Sequence, residues 1–128
     1  MLKPKKSLIA IVDDDQLYRK VLHFVLIKEN YKLAFEAVNG ADCIYMLKQT
    51  FNYPDLIIVD VEMPVMDGFE TVKAIRLNWP FIKIISHSSV LDPGVKDKVI
   101  SCGADAFVIK GQQSMNICEA IEKVLGGA

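Results

Sequence analysis

The sequence predicts an α/β fold: a doubly wound (βα)5 domain with a five-stranded parallel sheet. Five short runs, Ser7–Val12, Lys32–Val38, Leu56–Asp60, Phe81–Ser88 and Ala106–Ile109, alternate strictly with five segments of helical periodicity. Most of these runs are nearly continuous in apolar residues, as strands covered on both faces must be. Such alternation requires right-handed crossovers with helices on both sides of the sheet.

Ser7–Val12 is a continuous strand that Asp13, Asp14 and Asp15 end abruptly. Each offers a carboxylate to the free N–H groups of the following helix, and Asp15 is the one read as its cap. In Gln16–Asn30 the residues Tyr18, Val21, Leu22, Val25 and Leu26 recur at helical spacing as one buried stripe, and Asn30 closes the helix. Lys32–Val38 alternates loosely as a second strand before Asn39 and Gly40 turn the chain. Ala41–Gln49 sets Cys43, Ile44 and Leu47 on one side of a short helix, and Tyr53 and Pro54 break the loop beyond it. In Leu56–Asp60 four apolar residues, three of them β-branched, run straight into one carboxylate. Pro64, Asp67 and Gly68 then stop the run with strong turn chemistry.

Phe69–Leu77 places Phe69, Val72 and Ile75 at helical intervals, with Arg76 favouring the negative end of the dipole, and Trp79-Pro80 ends it. Phe81–Ser88 contributes Ile82, Ile84 and Ile85, then turns polar through Ser86, His87, Ser88 and Ser89, which predicts a buried strand surfacing at a polar edge. Asp92-Pro93-Gly94 is a turn or helix start, Val95–Cys102 a short helix, and Gly103 its glycine cap. Ala106–Ile109 is the last strand, interrupted by Lys110-Gly111. Ser114–Leu125 gathers Ile117, Ala120, Ile121, Val124 and Leu125 on one face.

The 128 residues suit one domain, 1–128, with its structured core from about 7 to 125. A hydrophobic fraction of 52% beside 24% charged residues excludes a disordered chain. A net charge of -1 gives no electrostatic case for direct nucleic-acid binding. Lys3, Lys5 and Lys6 precede an apolar run too short for a secretory signal, and no window approaches a membrane span. Cys43, Cys102 and Cys118 are an odd number, far apart in helical segments, and read as small core residues of a reduced cytoplasmic protein rather than as metal ligands.

Parallel strands bring all their carboxyl ends to one side, where loops are free of packing duty. Asp13, Asp14, Asp60, Ser88 and Lys110 all stand at such ends. Two carboxylates about 5 Å apart repel by roughly 3 kcal/mol at an effective dielectric near 20, so several acids here need a cation or a retained proton. Lys110 is one candidate cation; a hard divalent ion such as Mg2+ is the other, because it takes carboxylate, carbonyl and water oxygens. The set suits phosphoryl transfer onto a carboxylate, which asks chiefly for positioning and positive charge. Asp60 is then the nucleophile that becomes an acyl phosphate; Asp14 holds the metal directly, Asp13 through water, and Lys110 and Ser88 take phosphate oxygens.

These residues resemble the response-regulator receiver domains of two-component signalling. The matching positions are Val12 to Asp15 with Arg19, Asp55 to Asp60 with Met63-Pro64 and Met66-Asp67-Gly68, Ser88, and Gly103-Ala104-Asp105 leading to Phe107 and Lys110. The resemblance runs from about Ser7 to Leu125 and implies a flavodoxin-like, CheY-like fold with strand order 2-1-3-4-5. It implies that a histidine kinase or histidine phosphotransfer protein donates a phosphoryl group to Asp60 with Mg2+ present. It implies further that Ser88 and Phe107 then move together as switch residues, reshaping the face of the fourth helix, fifth strand and fifth helix, through which a homodimer could also form. The backbone carbonyl of Glu62 is expected to complete the metal shell.

The chain departs from the family at Gly111, where a proline is usual after the lysine, and at His87, where an apolar residue is usual. Glu62 and Val90 occupy positions that influence how fast the phosphoryl group is lost. Ser86 and Ser89 compete with Ser88 on the residues alone, and the family spacing to Gly103 selects Ser88. Phe107 reads equally as core, His23 as a surface histidine, and His87 as a group that could titrate near neutrality. A metal-dependent phosphohydrolase with an aspartyl nucleophile is a second reading, but Glu62 stands where a second aspartate would act as acid and base, and no segment is long enough for a cap. A receiver-like interaction module that is never phosphorylated is a third. The favoured reading makes this protein itself the substrate, with only self-phosphorylation and self-dephosphorylation, rather than an enzyme for outside substrates.

Overall fold

A computed structural model describes residues 7–89, 92–111 and 115–126, with the side chains of 115 and 116 left aside. The elements run β1 (Leu8–Val12), α1 (Gln16–Lys28), β2 (Lys32–Ala37), α2 (Gly40–Gln49), β3 (Leu56–Asp60), α3 (Gly68–Asn78), β4 (Lys83–Ser88), α4 (Pro93–Cys102), β5 (Ala106–Ile109) and α5 (Met115–Gly126). All four strand pairings are parallel, in the order β2-β1-β3-β4-β5. The expected fold and strand order are therefore present. The readings placed on Val90 and on Ser114 lie outside the described residues.

Side chains alternate between the faces of a strand, and the sequence alternates with them. Ala10, Val12, Ile57, Val59 and Ile84 pack with Cys43, Leu47, Val72, Ile75 and Val99 beneath α2, α3 and α4. Ile9, Ile11, Leu56, Ile58 and Ile85 pack with Leu22, Leu26, Ile117 and Ile121 beneath α1 and α5. Continuing the second set by two residues gives Asp13, Asp60 and His87, and the same step from Ala106 and Val108 gives Lys110. The strand period thus sends four polar residues toward one face of the sheet.

The helix starts are built from local chemistry. Asp15 caps α1 by accepting from the backbone N–H groups of Leu17 and Tyr18, as expected. Asp67 and Glu70 form a reciprocal capping box at α3, and Pro93 occupies the first turn of α4 behind Asp92. Gly68 is required: a Cβ there would overlap the Asp60 carbonyl oxygen and Val61 Cα, so only glycine lets α3 start this close to the end of β3. Gly103 closes α4 at φ 123°, and Asn30 adopts φ 72° beyond α1.

Two expectations fail. The first-helix stripe includes Val21, which is 46% exposed, because α1 covers the sheet through Leu22 and Leu26 and leaves its next row in solvent. The fourth strand does not surface at a polar edge: Ser86, His87 and Ser88 are all buried. β4 lies between β3 and β5 in the sheet, so its polar end is walled on both sides, and only Ser89 emerges.

Candidate functional site

The ends of four strands, β1, β3, β4 and β5, and the first turn of α1 define the site. Asp13 and Asp60 are 2% and 3% exposed, whereas Asp14 projects into solvent. One carboxylate oxygen from each of the three lies within 4.8 Å of the others. Asp13 is fixed by backbone bonds around it: its Oδ1 accepts from the Asp15 N–H at 2.9 Å, and its carbonyl accepts from Arg19 Nη1 at 2.6 Å. Arg19 is tied in turn to Glu36 at 3.1 Å, which links the site to β2, and His23 touches the same carboxylate at 3.2 Å.

Lys110 reaches in from the end of β5. Its ammonium lies 2.7 Å from Asp13 Oδ2 and 3.3 Å from Asp60 Oδ1. The lysine backbone is anchored by its N–H to the Ser88 carbonyl at 2.7 Å. Burial works against the charged lysine, but the two carboxylates outweigh it and hold the ammonium above its ordinary range. One lysine does not neutralise three acids. Burial, then the Asp13 charge, pushes the Asp60 carboxyl up to about 7 despite the opposing pull of Lys110.

Asp60 Oδ1 has no hydrogen-bond partner among the described residues. The ammonium at 3.3 Å attracts it by charge without an aligned hydrogen bond. A buried carboxylate oxygen with no hydrogen bond from a described residue, beside two further acids of which one is open to solvent, is the donor set that a hard divalent ion takes. The residues therefore fit Mg2+, with Asp13, Asp14 and Asp60 as the carboxylates. Glu62 follows Asp60 by two residues, in the loop beside them.

The side chain of Glu62 does something that its type and position did not announce. Ser88 Oγ donates to both Glu62 carboxylate oxygens, at 3.0 and 3.1 Å. The hydroxyl expected to face a phosphoryl group is thus engaged with a carboxylate across the β3–α3 loop. Ser86 is set apart from this: its Oγ donates to the Val59 carbonyl at 3.3 Å on the other face of the strand. Phe107 packs half-buried against the core beneath α2, α3 and α4, so its core role is present in this conformation.

Tyr18 and His87 also belong to the site, although in the sequence Tyr18 stands in a helix stripe and His87 is a departure from the family that could titrate near neutrality. Tyr18 Oη lies 3.0 Å from His87 Nε2, the rings meet edge to face at 5.2 Å, and the Tyr18 ring lies 4.5 Å from the Lys110 ammonium. Burial, then the nearby lysine charge, pulls the His87 imidazole down to about 4, so it is neutral at pH 7 and does not titrate near neutrality. Burial pushes the Tyr18 phenol up to about 12, with the Asp13 and Asp60 charges adding to it. The available signal was strand parity: residue 87 lies two beyond Ile85, on the face that α1 covers.

Comparison with known proteins agrees with this geometry. Residues 9–122 match the family model of the response regulator receiver domain. The chain is 33% identical over 116 residues to the chemotaxis protein CheY of Thermotoga maritima, covering 91% of this chain and 95% of that protein. Among solved structures it is similar to the chemotaxis response regulator CheY4 of Vibrio cholerae, with a TM-score of 0.84 and 26% identity over 94% of this chain and 99% of the other. A CheY-like receiver domain protein from Methanospirillum hungatei shares the fold at a TM-score of 0.86 and 21% identity, covering 96% of both chains. Among the described residues no helix is long and apolar enough to cross a membrane.

Proposed function

The chain belongs to the response regulator receiver domain family, and we propose that residues 1–128 act as one receiver domain in which Asp60 accepts a phosphoryl group. The donor is the phosphohistidine of a sensor histidine kinase or histidine phosphotransfer protein. One observation carries the reading: a buried carboxylate with an oxygen that accepts no hydrogen bond from a described residue sits within reach of one lysine and two further acids. An Asp60 oxygen attacks phosphorus, the bond from phosphorus to the donor imidazole breaks, and that nitrogen keeps the electron pair and takes a proton from solvent. Asp13, Asp14, Asp60 and the Glu62 carbonyl would hold a divalent ion, which would supply positive charge to the phosphoryl oxygens.

The chain's own residues do the rest. Lys110 moves its charge from the carboxylates toward the transferred group, which spreads negative charge over its equatorial oxygens. Ser88 leaves Glu62 and donates to a phosphoryl oxygen. Phe107 follows it inward, and the face made of α4, β5 and α5 changes to control an output or to pair with a second copy. The protein is thus a cytoplasmic switch that acts on itself and on no outside substrate.

Incubation with acetyl phosphate and Mg2+ tests the proposal by intact mass. A gain of one phosphoryl group in the wild type that is absent in Asp60→Asn is expected. No gain in the wild type sinks it, and turnover of added phosphate esters favours a hydrolase instead.

A further inference from the structure

Lys110 carries a flexible four-carbon stem and a point charge, and each freely rotating lysine loses rotamer entropy when it is held in one place. The backbone after it offers little restraint: Gly111 adopts φ 81°, with open space where a Cβ would be. Yet the ammonium is placed between Asp13 and Asp60, and an aromatic ring stands against it. Tyr18 reaches that position because it lies on the first turn of α1, directly after the acidic end of β1. His87, 2% exposed between β3 and β5, meets the tyrosine hydroxyl and fixes the ring's tilt at 62° to its own plane.

We propose that Tyr18, oriented by His87, is a positioning residue that clamps the Lys110 ammonium by a cation–π contact and presets it for the phosphoryl group arriving at Asp60. The inference rests on the reading of Asp60 as acceptor. The ring face attracts the cation, and the attraction strengthens where water is partly excluded, as it is around a lysine side chain only 14% exposed. An imidazole kept neutral by burial suits the place: it holds the phenol hydroxyl without adding a second positive charge beside the ammonium. An apolar residue at position 87 would leave the hydroxyl without that partner and the ring free to turn. The clamp therefore replaces, from α1 and β4, the restraint that the loop after Lys110 does not supply.

Three variants test it, with phosphorylation by acetyl phosphate at saturating Mg2+ as one readout and the Lys110 ε-methylene NMR shift as the other. A ring stacked on the lysine moves those protons upfield. Tyr18→Leu should lose the upfield shift and take up the phosphoryl group about three- to tenfold more slowly, the factor a cation–π contact of ordinary strength supports. Its melting temperature and Mg2+ titration should stay near wild type. Tyr18→Phe keeps the ring and its edge contact with His87, losing only the hydroxyl bond, and should recover most of the rate; His87→Leu loses both contacts that orient the tyrosine and should fall between the two. Wild-type rate in Tyr18→Leu overturns the clamp alone. So does a Tyr18→Phe as slow as Tyr18→Leu while the ring shift is retained. Absence of uptake by the wild type overturns the acceptor reading instead, and the clamp is then decided by the Lys110 shift: upfield and dependent on Tyr18 supports it, unshifted overturns it.

Discussion

At each end of the sheet a cation lies among oxygen acceptors, Arg76 at one and Lys110 at the other, and the two are used in opposite ways. At the amino end Arg76 donates to the Gly103 carbonyl through Nε at 3.0 Å and Nη2 at 2.8 Å, and to the Pro80 and Ile82 carbonyls through Nη1 at 2.9 and 3.1 Å. Its Nη2 also pairs with Asp105 at 2.7 Å, and Asp105 accepts from the Ile84 N–H. The planar fork is matched to fixed acceptors, so the charge is spent on holding α3, β4 and β5 together. At the carboxyl end Lys110 divides a point charge among acids that outnumber it, and a buried Asp60 oxygen accepts no hydrogen bond from any described residue. Among the described residues, satisfied acceptors mark the structural end and an unsatisfied buried oxygen marks the other.

If that contrast is correct, Arg76→Ala should cost stability on the order of 4 kcal/mol, because it leaves several carbonyls and Asp105 without their donor. Denaturant unfolding measures it, and phosphoryl uptake at Asp60 by the fraction still folded should be near wild type. A loss below about 1 kcal/mol would erase the distinction between the two ends.

Asp60→Asn should act with the opposite sign. The folded carboxyl titrates near 7, above the ordinary value of 3.8. Between those values the folded protein binds more protons than the unfolded chain, so stability falls as pH rises through the window. Below about 4 both states hold the proton and the penalty is absent; above about 7 it is complete. In metal-free buffer the variant should therefore be more stable than wild type by on the order of 4 kcal/mol at pH 8, with the gain vanishing toward pH 4. A gain that does not change with pH would show that burial, not charge, sets the effect.

A smaller strain lies in the loop between β3 and α3, where Val65 is 81% exposed at φ 70°. A β-branched residue is disfavoured in that region, and Val65→Asn should stabilise the fold by about 1 kcal/mol in thermal unfolding. The smallest expected effect is at Glu62. Glu62→Ala removes the acceptor of the Ser88 hydroxyl and should cost no more than about 1 kcal/mol, while shifting the Ser88 amide and side-chain resonances. Unmoved Ser88 resonances would remove Glu62 from the site.

Much of this was legible because strand period and helix period are local properties. Asp60, Asp13 and Lys110 could be placed at strand ends from the apolar runs before them, and Asp15 from the helix it opens. Tyr18 does pack against the core as its helix stripe predicts, but a stripe counts spacing alone and announces neither its contact with Lys110 nor that with His87. The chain cannot tell from spacing that the first turn of α1 lies over the end of β5, nearly a hundred positions away. The contact of the Glu62 carboxylate with Ser88 was illegible for the same reason, because its partner comes from another strand.

By itself, then, the sequence determined the βα alternation, the two buried faces and the acids and lysine at the strand ends, since each depends on neighbours within a few residues. Only the tertiary structure decided that β4 is walled by β3 and β5, which buries Ser86, His87 and Ser88. It also decided which groups go unsatisfied. Burial and long-range charge set the state of Asp60 and His87 and bring Tyr18 to Lys110, and both depend on residues that meet only when the sheet is assembled.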